Sequence, residues 1–191
     1  MEKPNTEDPD LLLWKAARNS ADGDLRAFEE LVGLYQKRIL ANCRYLTRDE
    51  KNYEDLAQDV FVKAFFGLKT FEGRSSFRGW LKKIKVNHCL THLSKQQGKT
   101  SQSIEEEVTG SLREMSVPPM AESNLEARDQ QARVSKILDS MPETLRIPLV
   151  MCDMDELSYE EVSSSLGIGL SAVKMRIQRA RQLFRERYEA Q

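Results

Sequence analysis

At 191 residues, 40% apolar and 31% charged, the chain can build one medium core or two small ones and is too rich in aliphatics to be disordered throughout. No apolar run approaches the about 18 residues that span a bilayer, and the acidic start Met1–Asp10 lacks a basic segment followed by an apolar one, so a cytosolic protein is expected. The net charge of −1 argues against indiscriminate binding to a polyanion, and three cysteines (Cys43, Cys89, Cys152) without a Cys-x-x-Cys pair argue for reduced thiols over a disulfide framework.

In chain order, 1–23 reads as an N-terminal extension and the start of a first helix. From Asp24 the apolar positions Phe28, Leu31, Val32, Leu34, Tyr35, Ile39 and Leu40 recur at helical spacing. After a polar break at Thr47–Asn52, Leu56, Val60, Phe61, Ala64, Phe65 and Leu68 predict a second helix, and Trp80, Leu81, Ile84, His88, Leu90 and Leu93 a third. No window alternates long enough to read as a strand. Residues 97–126 carry Ser, Thr, Gly, Glu and the pair Pro118–Pro119, which is linker composition. Beyond them, Ala127–Met141 and Leu145–Met154 read as helices, the second with Pro148 near its first turn. The expected fold is therefore all-α: two small helical domains, 24–96 and 127–191, joined by a flexible linker over 97–126.

Ser158-Tyr-Glu-Glu161 has the capping-box form, so a helix should start there and run through Val162 and Leu166. Gly167 can end it in the left-handed conformation, and Ser171 is expected to cap the next helix. Two helices joined by a short turn, the second strongly basic, form the helix-turn-helix pattern. In that second helix Val173, Ile177, Ala180 and Phe184 cluster on one side at about 100° per residue and should face the core. The opposite side presents Ser171, Met175, Gln178 and Arg179, with Lys174, Arg176 and Arg181 on the flanks. Opposite residues suit base edges and flanking cations suit phosphates, so Met175, Gln178 and Arg179 are expected to read bases.

Charge resolved along the chain agrees. Residues 71–99 hold seven basic side chains against Glu72, and 171–188 hold six against Glu186, whereas 100–130 hold seven acids and two bases. Two local basic footprints separated by an acidic tether suit a nucleic-acid partner better than a uniform surface. His88 and His92, at helical i and i+4 with Cys89 beside them, are a possible metal pair, but Cys89 points about 100° away and no fourth donor is evident, so no metal site is expected.

The stretch Leu157–Ile168 followed by Ala172–Arg181 resembles region 4 of extracytoplasmic-function sigma factors of bacterial RNA polymerase. Asp55-Leu-Ala-Gln-Asp-Val-Phe61 is similar to their region 2.2, and Phe71–Leu81 through Asn87 and Leu93 to regions 2.3 and 2.4. The resemblance implies that Asp55, Gln58 and Asp59 dock on the clamp coiled coil of the largest polymerase subunit. It implies that Phe71, Gly73, Arg74, Ser75, Ser76, Arg78, Lys82, Lys83 and Asn87 hold a flipped base of the promoter −10 element and the freed strand, with Lys85 adding charge. Trp80 is expected in the core. Ser171, Lys174, Met175, Arg176, Gln178, Arg179 and Arg181 would contact the −35 element. Further implied partners are the flap of the second-largest subunit and an anti-sigma factor, which could hold the chain near the membrane, and the acids Glu105–Glu107 would lie on the RNA path.

No Gly-rich phosphate loop and no nucleophile with an evident base suggests an enzyme, and no cofactor or small-molecule substrate is expected. Two other classes stay open on the residues alone. A conventional helix-turn-helix regulator would explain 130–188 and leave 24–96 unexplained; a helical adaptor would explain helices and charge without DNA.

Overall fold

The computed structural model describes residues 9–20, 24–98 and 125–190, and every described secondary-structure element is helical. The expectations for 99–124, including Glu105–Glu107, lie outside the described residues. The chain divides into two compact units, one comprising 1–43 and 51–117 and the other 44–50 and 118–191.

The first unit contains α1 (Pro9–Asn19), most of α2 (Arg26–Thr47), α3 (Tyr53–Gly67) and α4 (Phe77–Gln96). The start of α2 is set by Asp24, whose carboxylate accepts from the Arg26 backbone N–H and guanidinium at 3.2 and 2.9 Å; that contact holds its pKa down at about 2. Helical periodicity decides which faces turn inward. Phe28, Leu31, Val32, Ile39 and Cys43 of α2 are buried, as are Leu56, Ala57, Val60, Phe61 and Ala64 of α3. On α4 the buried stripe is Phe77, Leu81, Lys85, Cys89 and Leu93, at steps of four residues, with Val86 beside it. Burial of each large apolar member contributes about 1.5–3 kcal/mol relative to exposure. Cys43 and Cys89 form no disulfide, and their buried sulfurs touch at 3.7 Å.

Helix α1 was not anticipated as a separate element. It buries Leu11 and Trp14, and Tyr35 Oη donates to the carboxylate of its Asp10.

The second unit contains α5 (Leu125–Ser140), α6 (Glu143–Leu149), a π-helical turn (Val150–Met154), α7 (Tyr159–Leu166) and α8 (Leu170–Glu189). Helix α6 starts at Glu143, two residues before its apolar periodicity begins at Leu145. Pro148 therefore stands inside it, where its missing N–H leaves one rung of the ladder unmade. The chain widens directly afterwards into the π turn, closed by Asp155 N–H donating to the Val150 carbonyl at 3.1 Å. Ile137, Leu138, Met141, Val150, Met151, Val162, Val173, Ile177 and Ala180 form the core of this unit.

Candidate nucleic-acid interface

The start of α7 follows from its sequence: Ser158 Oγ accepts from the Glu161 N–H at 3.1 Å, and the Glu161 carboxylate accepts from the Ser158 N–H at 3.0 Å. The reciprocal pair satisfies two backbone donors that the first turn would otherwise leave open. Gly167 ends the helix at φ +63°, the left-handed region that Gly enters at low cost, and Ile168 N–H returns to the Ser163 carbonyl at 3.2 Å. The connection to α8 is thus short. One expectation is corrected: α8 begins at Leu170 with Gly169 as its N-cap, so Ser171 lies in the first turn and caps nothing.

Val173, Ile177 and Ala180 of α8 are fully buried, which fixes the rotation of the helix. Ser171, Lys174, Met175, Gln178 and Arg179 consequently stand exposed on the remaining surface, and Arg176 is half-buried on its flank. These six residues share one basic face. Arg181 departs from them. Its guanidinium is bidentate to Asp153, Nε–Oδ2 3.0 Å and Nη2–Oδ1 2.5 Å, and that pairing raises its pKa further. It also reaches Tyr159 Oη at 3.4 Å, so Arg181 ties α8 to the π turn and to α7.

The same unit holds a cavity of about 470 Å³ lined by Val134, Leu138, Leu149, Val150, Met154 and Phe184, with Asp153, Arg181 and Arg185 at its polar rim. Its lining is mainly apolar, which suits an aliphatic or aromatic side chain.

In the first unit the segment 71–76 is held from below by rings. Phe71 is only 6% exposed; it meets Trp14 edge-on at 5.0 Å and stacks on Trp80 at 4.8 Å. Phe77 joins the cluster at 5.5 Å from Trp80, and Arg18 donates to the Phe71 carbonyl at 3.4 Å. Gly73 turns the loop at φ +69°, and a side-chain carbon there would lie 3.4 Å from the Trp14 ring. The structure thus places Phe71 under the loop, where it shapes the backbone and does not face outward. Arg74, Ser75 and Ser76 are exposed. Arg74 pairs with Glu72 at 2.5 Å, and Ser76 Oγ caps α4 by accepting from Gly79 N–H at 3.1 Å.

Along α4, Lys83 and Asn87 are exposed one turn apart, with Lys82 and Arg78 half-buried beside them. Lys85 is fully buried on the core stripe and adds no charge to this surface, correcting the expectation that it would meet a nucleic-acid backbone. On α3, Asp55, Gln58 and Asp59 are exposed along one side, opposite the buried stripe. Asp59 lies 3.3 Å from His88 Nε2, and that contact, with Lys63 adding a smaller effect, holds the carboxyl below its usual range. His92 turns instead to Gln96 at 3.0 Å, so the two imidazoles go to different partners.

Sequence reasoning missed α1 and its contacts with the loop, and it missed Asp153 as the partner of Arg181. Leu11 and Trp14 are the i, i+3 signal that could have revealed α1.

Comparison with known proteins accounts for this arrangement. Residues 31–99 match the model of sigma-70 region 2, and residues 131–184 that of sigma-70 region 4. The chain is 32% identical over 167 residues to the RNA polymerase sigma-H factor of Pseudomonas aeruginosa, covering 84% of this chain and 85% of that protein. It is 31% identical over 168 residues to the ECF RNA polymerase sigma-E factor of Escherichia coli K12, with the same coverage of 84% and 85%. Among solved structures it is similar to CnrH in complex with the cytosolic domain of CnrY, with TM-score 0.60 and 26% identity over 96% of this chain and 99% of that one. The sigma factor RpoE of Bartonella quintana, solved with the anti-sigma factor NepR, shares the fold at TM-score 0.58 and 22% identity, over 86% of this chain and 98% of that one. The chain therefore belongs to the sigma-70 family, in its extracytoplasmic-function group, whose members are transcription initiation factors and not enzymes.

Proposed function

We propose that this chain binds core RNA polymerase in the cytosol and directs it to promoters by reading two DNA elements with its two basic surfaces. The observation that carries this reading is the outer face of α8, where Ser171, Lys174, Met175, Gln178 and Arg179 stand exposed opposite a fully buried stripe. A helix presented in this way by a capped partner helix has the form that enters a major groove. Met175, Gln178 and Arg179 face the bases of the −35 element, and Lys174 and Arg176 neutralise flanking phosphates. Arg181, engaged by Asp153, serves the fold first.

For the −10 element the reading assigns Gly73, Arg74 and Ser75 of the loop with Arg78, Lys82, Lys83 and Asn87 of α4. A flipped base needs a close-approaching backbone and a donor–acceptor side chain, which Gly73 and Asn87 supply, and the freed strand needs cations. Asp55, Gln58 and Asp59 form the docking patch for the clamp coiled coil of the largest subunit. The apolar cavity between α5 and α8 is the seat for the flap of the second-largest subunit. An anti-sigma factor would compete for these surfaces; CnrH, a similar protein, was solved with CnrY. On this reading 24–96 and 127–191 are the working domains.

The test is reconstitution. Purified core enzyme supplemented with this chain should start transcription at a cognate promoter, and core alone should not. A chain that fails to associate with core would overturn the proposal.

A further inference from the structure

Met175 is out of keeping with its surroundings. It is 60% exposed, whereas Val173 and Ile177 in the same half of α8 are fully buried and Leu170 and Ala172 are half-buried. Two positions on from Val173, it points about 160° away from the core stripe at about 100° per residue. Its neighbours on that outer face are Lys174, Gln178 and Arg179, all exposed. The side chain therefore makes little contribution to the core of its own unit.

Chemistry narrows what could cover it. In the major groove the base edges present hydrogen-bond donors and acceptors, and the one apolar group among them is the C5 methyl of thymine. A thioether donates no hydrogen bond and accepts only weakly, so pressed against a donor or acceptor it would remove water and return nothing. Against a methyl it gains contact and loses nothing, and its unbranched, polarizable chain adapts to the fit. Gln178 and Arg179, three and four residues on, lie on the same face and set the neighbouring base pairs.

We propose that Met175 is a specificity-determining residue for the −35 element, packing its thioether on the C5 methyl of a thymine adjacent to the base pairs read by Gln178 and Arg179. The proposal rests on the assignment of α8 to −35 DNA.

The test replaces thymine with uracil, which removes the methyl and leaves every hydrogen-bonding edge in place. Promoter DNA is first selected from a randomised −35 pool with the holoenzyme formed from core polymerase and the full chain. Each −35 thymine is then replaced singly by deoxyuridine, and holoenzyme affinity is measured by competition. At one position the wild type should bind the uracil form about fourfold more weakly, the effect of one buried methyl-sized group. Met175→Ser should bind the thymine and uracil forms equally there, and Met175→Leu should keep most of the difference.

A selected −35 element without thymine, no uracil effect at any position, or the same loss in wild type and Met175→Ser would each overturn the inference. Arg176→Ala and Arg179→Ala run in parallel separate it from its premise. If they weaken promoter binding while the methyl effect is absent, the inference alone fails. If they change nothing, the assignment of α8 to the −35 element fails with it.

Discussion

The two basic surfaces are built in different ways. That of α8 sits on one continuous helix whose opposite side is sealed by Val173, Ile177 and Ala180, so each outer side chain is independent of the next. That of 71–76 is a short stretch of backbone resting on rings from α1 and α4, with Gly73 at φ +69° against the Trp14 ring. The first surface should tolerate outward substitutions with loss of function alone. The second should transmit packing changes several residues away into its function, because its shape is borrowed from Trp14, Phe71 and Trp80.

The largest expected break in that comparison is Trp14→Ala. Trp14 is 4% exposed, and its removal should destabilise the first unit by about 3–5 kcal/mol, as large aromatic truncations do. Urea unfolding followed unit by unit should show the loss confined to the first. Promoter opening, read by permanganate reactivity of unpaired thymines, should fall at temperatures where the chain still binds core.

Next in size is Gly67→Ala at the end of α3. A side-chain carbon there would lie 2.8 Å from Trp80 Cζ2, so the ring must shift. The expected cost is about 1–3 kcal/mol, outweighing the gain in helix propensity of up to about 1 kcal/mol. Thermal unfolding gives the sign, and a stabilised variant would show that the ring is freer than its contacts imply.

Ser158→Ala removes the capping box of α7 and should cost about 1 kcal/mol, in the second unit only. Arg179→Ala, on the outer face, should leave stability unchanged within about 0.5 kcal/mol while weakening promoter binding.

The smallest effect concerns Asp59. Its carboxyl is held below the usual range by His88, so its contribution is present above the unfolded-state value and fades as pH falls through the folded one. In His88→Ala the Asp59 titration followed by carbon NMR should move up toward an ordinary carboxylate. An unmoved titration would remove His88 as the cause.

These differences also explain what could be read in advance. The cap of α7, its Gly167 stop and the rotation of α8 rest on local signals, a Ser-x-x-Glu box and an apolar stripe of about 3.6-residue period; the first two hold, and of the stripe Val173, Ile177 and Ala180 are buried while Phe184 is only half-buried. The burial of Lys85 was available to the same reasoning, since it falls four residues after Leu81 and four before Cys89. Helix α1 was harder to see because a three-turn helix anchored by Leu11 and Trp14, with Leu12 and Leu13 running between them, offers little periodicity. The direction of Arg181 is a tertiary outcome: a flanking cation can turn toward solvent or toward the fold, and Asp153 on the π turn decides it.

The coordinated use of both surfaces is tested most directly by measuring promoter-specific DNA binding of the full chain with and without core polymerase. With core, binding should discriminate the promoter from unrelated DNA, and Asn87→Ala and Arg179→Ala should each reduce that discrimination; without core, discrimination should be small. Equal discrimination by the chain alone would contradict the account and point to a conventional helix-turn-helix regulator.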